Sequence, residues 1–329
     1  MDRNIDQELV SIIIPTHNRY ESLIRAVKSC LHQSYKNIEV IIIDDNYSNV
    51  NLRNKIIHQF GYTNHRIKLI LSNEDLGATN ARNIGIKNSR GKYISFLDDD
   101  DEYMPDRILK LMACFKKSRM KNLALVYSYG IIIYPNGTRE EEKTDFVGNP
   151  LFVQMVHNIA GTSFWLCKKE VLELINGFEK IDSHQDGVVL LKLLAQGYQI
   201  DIVREFLVNY YAHSKENGIT GVTQKTINAD EEYYNYCRKY FNLLSFNERI
   251  LVTKKYYSLN IKRLLKKYYS LNIKRLLLIG DKCKALKVIK KAREEKIFNE
   301  FLFLKYMLLY HFGFFYCIYD NYVQLKFRK

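Results

Sequence analysis

Short, mainly apolar runs punctuate the first hundred residues of this chain. Val10-Ser11-Ile12-Ile13-Ile14-Pro15 is the first, and residues 38–43, 67–71 and 93–97 follow. Runs of this kind, without polar alternation, predict strands buried on both faces, as in a parallel sheet. Between them the period lengthens. Leu23, Ile24, Val27, Cys30 and Leu31 recur at helical spacing within 19–33, and 55–60 and 78–88 also read as helices. The β-α-β-α-β-α-β alternation predicts an α/β fold: a doubly wound, mainly parallel sheet with helices on both faces.

Beyond residue 100 the pattern predicts a helix over 106–119 and a pair of strands within 123–134, closed by a turn at Tyr134-Pro135-Asn136-Gly137-Thr138. Residues 140–145 read as a solvated acidic loop, 159–167 and 200–211 as extended chain, and 185–196 as a helix capped by Gly197. From about 226 the pattern is all helical, which predicts a division into 1–225 and 226–329. A segment, KKYYSLNIKRLL, occupies 254–265 and recurs identically at 266–277. Twelve residues make about 3.3 helical turns, so the repeat rotates the apolar stripe. It reads as a tandem duplication inside a helix, not a solenoid. Asp281 is a candidate N-cap for a basic amphipathic helix over 282–296. Residues 298–319 are dense in Phe, Tyr and Leu but carry Glu300, Lys305 and His311. They read as an interfacial helix and not a span, or else as a subdomain packed on the core.

Charge sharpens this division. The 329 residues carry a net +14, yet residues 1–250 hold 31 Lys and Arg against 31 Asp and Glu, while 251–329 hold 19 against 5. The whole excess lies in the last quarter, which predicts peripheral contact of 251–329 with an anionic membrane. No DNA- or RNA-binding motif accompanies it, so nucleic acid is not an expected partner. The six cysteines are scattered without metal spacing and read as reduced thiols. The polar, mixed-charge start of the chain has no apolar signal core, so the expected location is cytoplasmic, at the inner face of the cell membrane.

Candidate chemistry sits where the strands end. Thr16-His17-Asn18-Arg19, Asp44-Asp45-Asn46 and Asp98-Asp99-Asp100-Asp101 each follow an apolar run. Ligands of open α/β sheets bind beyond the carboxyl ends of the strands, so three separate segments converge on one edge. Four adjacent carboxylates repel one another, and a fold accepts them on a solvated tip or beside a cation. Hard oxygen donors suit Mg2+ or Mn2+, ions that accompany substrate phosphates.

The segments 10–19, Ile43-Asp44-Asp45-Asn46, Asn80-Ala81-Arg82-Asn83-Ile84-Gly85 and 91–101, in this order and spacing, resemble the family 2 glycosyltransferases. These are inverting, nucleotide-sugar-dependent enzymes of GT-A fold, and the resemblance covers about 8–215. It implies that Pro15, Thr16 and His17 line the nucleotide pocket and that Asp45 accepts a hydrogen bond from the base. Arg19 and Arg82 would lie near the diphosphate. Asp98 and Asp100 would form the DxD pair, with Asp100 the direct ligand of Mn2+ or Mg2+ and Asp98 on the metal, its water or the ribose. Asp99 or Asp101 would share that task, and His213 would be a third ligand or a phosphate contact.

The family's Glu-Asp pair reads here as Gln185-Asp186, which implies Asp186 as catalytic base, with Asp182 as the alternative. Gly161-Thr162-Ser163 would lie on the acceptor side and Trp165 beneath the acceptor sugar. The implied activity is metal-dependent transfer from a nucleotide-sugar, a UDP-sugar foremost. The acceptor would be a hydroxyl of a glycan or lipid-linked saccharide in capsule, O-antigen or similar polysaccharide synthesis. The missing first acid leaves one alternative open: an inactive relative that binds nucleotide-sugar or serves as a scaffold.

Overall fold

The computed structural model describes residues 8–61, 64–212, 224–278 and 282–294. Its first half alternates as the apolar pattern predicts: β1 (Val10–Thr16), α1 (Tyr20–Leu31), β2 (Ile38–Asp44), α2 (Val50–Phe60), β3 (Ile67–Leu71), α3 (Gly77–Asn88) and β4 (Tyr93–Phe96). These strands run parallel in the order β3-β2-β1-β4, with Val10 opposite Ile38 and Tyr93. Every residue of β1, β2 and β4 is buried, as double-sided cover by helices requires. Helix α1 buries Leu23, Ala26, Val27 and Cys30 on one stripe.

The second half is built differently. It comprises β5 (Glu102–Tyr103), α4 (Arg107–Lys117), β6 (Leu123–Ile133), β7 (Arg139–Glu142), α5 (Leu151–Val156), β8 (Trp165–Lys168), α6 (Lys169–Leu174), α7 (Gln185–Ala195) and β9 (Gln199–Tyr211). Strand β8 enters antiparallel between β4 and β6, and β9 runs parallel to β6. The nine-stranded sheet, ordered β3-β2-β1-β4-β8-β6-β9-β5 with β7 on β6, is therefore mixed. Among the described residues four pairings are parallel and four antiparallel.

Local expectations change in three places. Residues 123–133 form one long strand and not a pair. The turn after it, with Gly137 at φ +83°, folds the acidic 139–142 back as β7 instead of a loop. Its exposed acidic side chains suit an outer strand, where charge discourages further pairing. Residues 162–164 are not extended: Phe164 N donates to Gly161 O at 3.1 Å and closes a 3-10 turn over Thr162–Phe164. Trp165 is fully buried, stacked on Phe178 at 6.4 Å and edge-on to Phe96, so it belongs to the core and not to a sugar platform.

Three helices follow: α8 (Gln224–Arg238), α9 (Phe246–Leu278) and α10 (Lys282–Glu294). The chain divides into two compact units, Met1–Val252 and Thr253–Lys329. Helix α8 packs on α7 within the first. Both copies of the twelve-residue repeat lie inside α9. Helix α10 buries Ala285, Ile289 and Ala292, and exposes Lys284, Lys287, Lys290, Lys291 and Arg293. Asp281 and residues 298–319 lie outside the described residues. Among the described residues no helix is long and apolar enough to cross a membrane.

Candidate active site

The ends of β1, β2 and β4 meet at one edge of the sheet, and Asp99 ties two of them together. Its buried carboxylate accepts from Thr16 Oγ1 at 2.8 Å, His17 N at 3.2 Å and Arg19 Nη1 at 2.9 Å. Burial raises the Asp99 pKa, and the Arg19 guanidinium opposes that rise. Pro15 and Thr16 are buried at the end of β1, and His17 is exposed just beyond it. His17 Nδ1 lies 2.6 Å from the Asp45 carbonyl, which can only accept, so that nitrogen carries the proton and Nε2 accepts from Asn18.

Asp45, 6% exposed, accepts from the backbone N–H groups of Leu76 and Gly77 at 2.6 and 2.8 Å. It thereby fixes the entry to α3. Each carboxylate oxygen retains a second lone pair for a ligand donor.

The other three acids diverge. Asp98, about one-third exposed, accepts from Arg82 Nη2 at 2.6 Å. Asp100 pairs with Arg19 Nη1 at 3.0 Å, so one guanidinium nitrogen serves both Asp99 and Asp100. Asp101 is wholly buried and accepts from Ser163 Oγ at 2.6 Å and Tyr211 N at 3.1 Å. Burial, then the neighbouring Asp98 and Asp100, push its pKa well above the usual carboxylate range. The acid run thus separates into two carboxylates that reach solvent and two that hold the fold.

Arg82 links this cluster to α7. It is 7% exposed and donates through Nη1 to Gln185 Oε1 at 3.0 Å. Gln185 Nε2 in turn donates to Ile181 O at 3.0 Å. A glutamate could accept from Arg82, but it could not make the second bond. The departure from the family's Glu-Asp pair is accommodated by a glutamine that uses both ends of its amide.

A cavity of about 300 Å³ opens beside Asp98. Its lining includes Ser163 and Gly161 from the 3-10 turn, and Asp186 from the first turn of α7. Asp186 Oδ2 accepts from Asn158 Nδ2 and Oδ1 from Gly187 N, both at 2.8 Å. Asn158 is itself held by Gln154 Nε2 at 3.1 Å, and Gln154 O accepts from Tyr233 of α8 at 2.7 Å. His184, at φ +59° before α7, stacks on Tyr233 at 4.8 Å and reaches Asp230 of α8 at 2.8 Å. A chain of contacts therefore runs from α8 to the Asp186 carboxylate. Asp182 is exposed and does not line the cavity.

Several contributors carry no motif that could have revealed them. Asn158 and Tyr210 reach the cavity only through tertiary folding. Burial, and after it the carboxylates of Asp101, Asp98, Asp100 and Asp186, push the Tyr210 phenol up to about 12. Arg107, wholly buried behind the site, donates to the carbonyls of Ser163 and Trp165 at 3.0 and 2.9 Å and pins the 3-10 turn.

The fit to a divalent ion rests on Asp98 and Asp100. Both keep solvent-reaching oxygens, and both are already balanced by arginines, so the local charge tolerates a diphosphate as well as a cation. Among the described residues no three His, Cys, Asp or Glu side chains gather as a closed metal cage. His213 lies outside the described residues.

Known proteins are similar to this chain. AmsB, the amylovoran biosynthesis glycosyltransferase of Erwinia amylovora, is 28% identical over 61% of this chain and 69% of its own length. WfgD of Escherichia coli, a UDP-Glc:alpha-D-GlcNAc-diphosphoundecaprenol beta-1,3-glucosyltransferase, is 33% identical over 39% of this chain and 48% of its own. Among solved structures, residues 1–349 of S. aureus TarS in complex with UDP-GlcNAc superpose with a TM-score of 0.54. That match covers 87% of this chain and 92% of the other at 14% identity, a likeness of fold that marks the sheet as GT-A type. The model of glycosyl transferase family 2 matches residues 11–175, half of the chain, from β1 through α6. The chain belongs to that family and is a glycosyltransferase.

Proposed function

We propose that this glycosyltransferase is metal-dependent and inverting, and that it moves a sugar from a UDP-sugar to a hydroxyl of a glycan or lipid-linked saccharide in surface polysaccharide synthesis. The observation that carries the reading is the pairing of Asp98 and Asp186 on one cavity of about 300 Å³. An acid cluster beside one carboxylate, across a space at the small end of ligand pockets, suits single displacement at a sugar carbon.

In this reading the base stacks at the ends of β1 and β2. Pro15, Thr16 and His17 line its pocket, and Asp45 accepts from its N–H. Arg82, and Arg19 once released from Asp100, face the diphosphate, where a guanidinium fork suits phosphate oxygens. Asp98 and Asp100 would hold the divalent ion, which when bound neutralises charge on the departing nucleoside diphosphate. Asp99 keeps Thr16 and Arg19 in place for these contacts. Asp186 takes the proton from the acceptor hydroxyl, and Asn158 holds its carboxylate toward the cavity. The acceptor oxygen bonds to the anomeric carbon as the bond to the diphosphate breaks, so configuration inverts and no enzyme nucleophile is needed.

The uridine choice is supported by the UDP-GlcNAc and UDP-Glc named for TarS and WfgD. The acceptor class is supported by the amylovoran biosynthesis named for AmsB and the alpha-D-GlcNAc-diphosphoundecaprenol named for WfgD. The basic residues of α10 support contact with an anionic membrane.

A thermal-shift panel of UDP, GDP, CDP and dTDP with Mn2+, Mg2+ or EDTA tests the donor half. A ligand at a hundredfold excess over its Kd adds about 2.7 kcal/mol. Metal-dependent stabilisation by UDP is expected, with its loss in Asp100→Asn. Asp186→Asn should keep that stabilisation while turnover falls roughly 10²- to 10⁴-fold. Unchanged turnover would remove Asp186 from the role of base.

A further inference from the structure

The cavity beside Asp186 has a wall that the donor does not explain. Side chains alternate along β6, so Ser128, Gly130 and Ile132 share one face. Glu142 of β7 lies directly opposite Gly130 and so falls on that same face. Ser128, Ile132 and Glu142 all line the cavity. The pairing of β6 with β9 is irregular at Ser128–Gly130, but its extra residues lie in β9, where Val203, Phe206 and Val208 face three successive residues of β6, so no residue is inserted into β6.

Gly130 matters here because its bare backbone receives an aromatic ring. A Cβ at this position would lie 2.3 Å from Cε1 of Phe164. The Phe164 ring therefore rests on the strand, with the Tyr210 ring 6.5 Å away at an interplanar angle of 32°. Two polar groups flank these rings. Ser128 is 2% exposed, and among the described residues its Oγ has no hydrogen-bond partner. The Glu142 carboxylate likewise makes no hydrogen bond or ion pair among them. The neighbouring Thr144 hydroxyl, by contrast, is committed to Ile159 O at 2.5 Å. A buried orphan hydroxyl is uncommon in a native fold and asks for a partner.

We propose that Ser128, Glu142, Phe164 and Tyr210 form the subsite that selects the acceptor, and that it takes a neutral sugar ring presenting free hydroxyls to Glu142. A carboxylate only accepts, so it reads O–H donors. Ser128 Oγ either donates to or accepts from the next hydroxyl. The C–H face of the ring lies on Phe164 and Tyr210, which gives a pyranose its apolar contact. This inference rests on the glycosyl-acceptor reading of the cavity, and it adds which wall distinguishes one acceptor from another.

Saturation-transfer NMR on the full chain tests it. The probes are methyl β-D-glucopyranoside, methyl N-acetyl-β-D-glucosaminide and, as a cationic control, methyl β-D-glucosaminide, each in the presence of UDP and Mn2+. At least one neutral glycoside should bind the wild type. Its affinity should fall about tenfold in Glu142→Gln, since hydrogen bonds to a charged group are the stronger ones. Ser128→Ala should weaken binding by a smaller factor. The UDP-induced thermal shift, measured on the same samples, shows that each variant is folded. Its absence in the wild type would count against the donor reading and not against this subsite. Equal binding to wild type and Glu142→Gln overturns the proposal, as does failure of every neutral glycoside to bind. Preference for the amino glycoside, lost in Glu142→Gln, also overturns it and marks a cation site instead.

Discussion

Asn158 shows how one side chain can decide the use of another. Its amide holds Asp186 Oδ2 at 2.8 Å, while Gly187 N holds Oδ1. Two donors fix the carboxylate plane, yet each oxygen keeps a lone pair for an acceptor proton. Asn158→Ala would free one oxygen and leave the carboxylate to rotate. Misplacement of a reacting group by about 1 Å can cost roughly 10²-fold. We therefore expect kcat to fall roughly 10- to 100-fold in Asn158→Ala with UDP binding intact. Steady-state kinetics beside a nucleotide thermal shift would separate the two effects, and an unchanged kcat would count against the positioning role.

Glu39 supplies a contrast at the opposite end of β2. Burial alone would raise its pKa, but the Ser11 hydroxyl and the Arg90 N–H and guanidinium hold it below its ordinary 4.5. A carboxylate depressed in the folded state adds stability above its unfolded pKa and loses it as pH falls through the folded one. Glu39→Gln should thus cost about 1.5–3 kcal/mol at pH 7, the scale of hydrogen bonds to a charged group. The gap to wild type should close in acid, below the ordinary 4.5. Urea denaturation at pH 7 and pH 3 would show it. A gap of the same size at pH 3 as at pH 7 would exclude the ionised carboxylate as its source.

At the scale of elements, β6 and the turn before β8 would make the acceptor side of the proposed reaction. Gly130→Ala would drive Phe164 off the strand, because the new methyl would lie 2.3 Å from its ring. Overpacking a filled site costs about 1–3 kcal/mol, and here the ring would move toward the cavity. Reduced stability together with weaker acceptor binding is expected. Full stability with unchanged acceptor KM would show that the ring has room elsewhere.

The same region marks the limit of what the sequence discloses. The strand ends of β1, β2 and β4 were legible because buried parallel strands leave mainly apolar runs that stop at clusters of polar residues. The roles within 98–101 were not legible, since four identical acids carry no sign of which turn inward. Burial of Asp99 and Asp101 is decided by Thr16, Arg19 and Ser163, up to 83 residues away. The strand at 139–142 was hidden for another reason: an exposed acidic edge lacks the apolar signal by which strands are read. Asn158 and Glu142 have no local pattern at all, and only packing brings them to the cavity that Asp186 lines.

For the whole molecule, charge is the organising quantity. The first 250 residues are neutral in sum, and the net +14 belongs to the remainder. On the proposed reading, a neutral catalytic part would handle an anionic donor through local arginines such as Arg19 and Arg82, while the basic part would offer long-range attraction to an anionic surface. Helix α10 separates its residues by face: Ala285, Ile289 and Ala292 are buried, and Lys287 and Lys290 are exposed. Each Lys or Arg near an anionic bilayer contributes about 1 kcal/mol, and the effect decays within a Debye length of about 10 Å at 0.1 M salt. Lys287→Glu with Lys290→Glu removes two attractions and adds two repulsions, so partition onto phosphatidylserine vesicles should drop at least roughly 30-fold. The UDP-induced thermal shift should stay as in the wild type, because these substitutions lie outside the unit that carries the strand ends. Vesicle sedimentation at low and high salt reads both effects, and binding by the wild type should weaken as salt rises. Equal binding to phosphatidylcholine vesicles, or indifference to salt, would replace the electrostatic account with one in which apolar residues alone carry the contact.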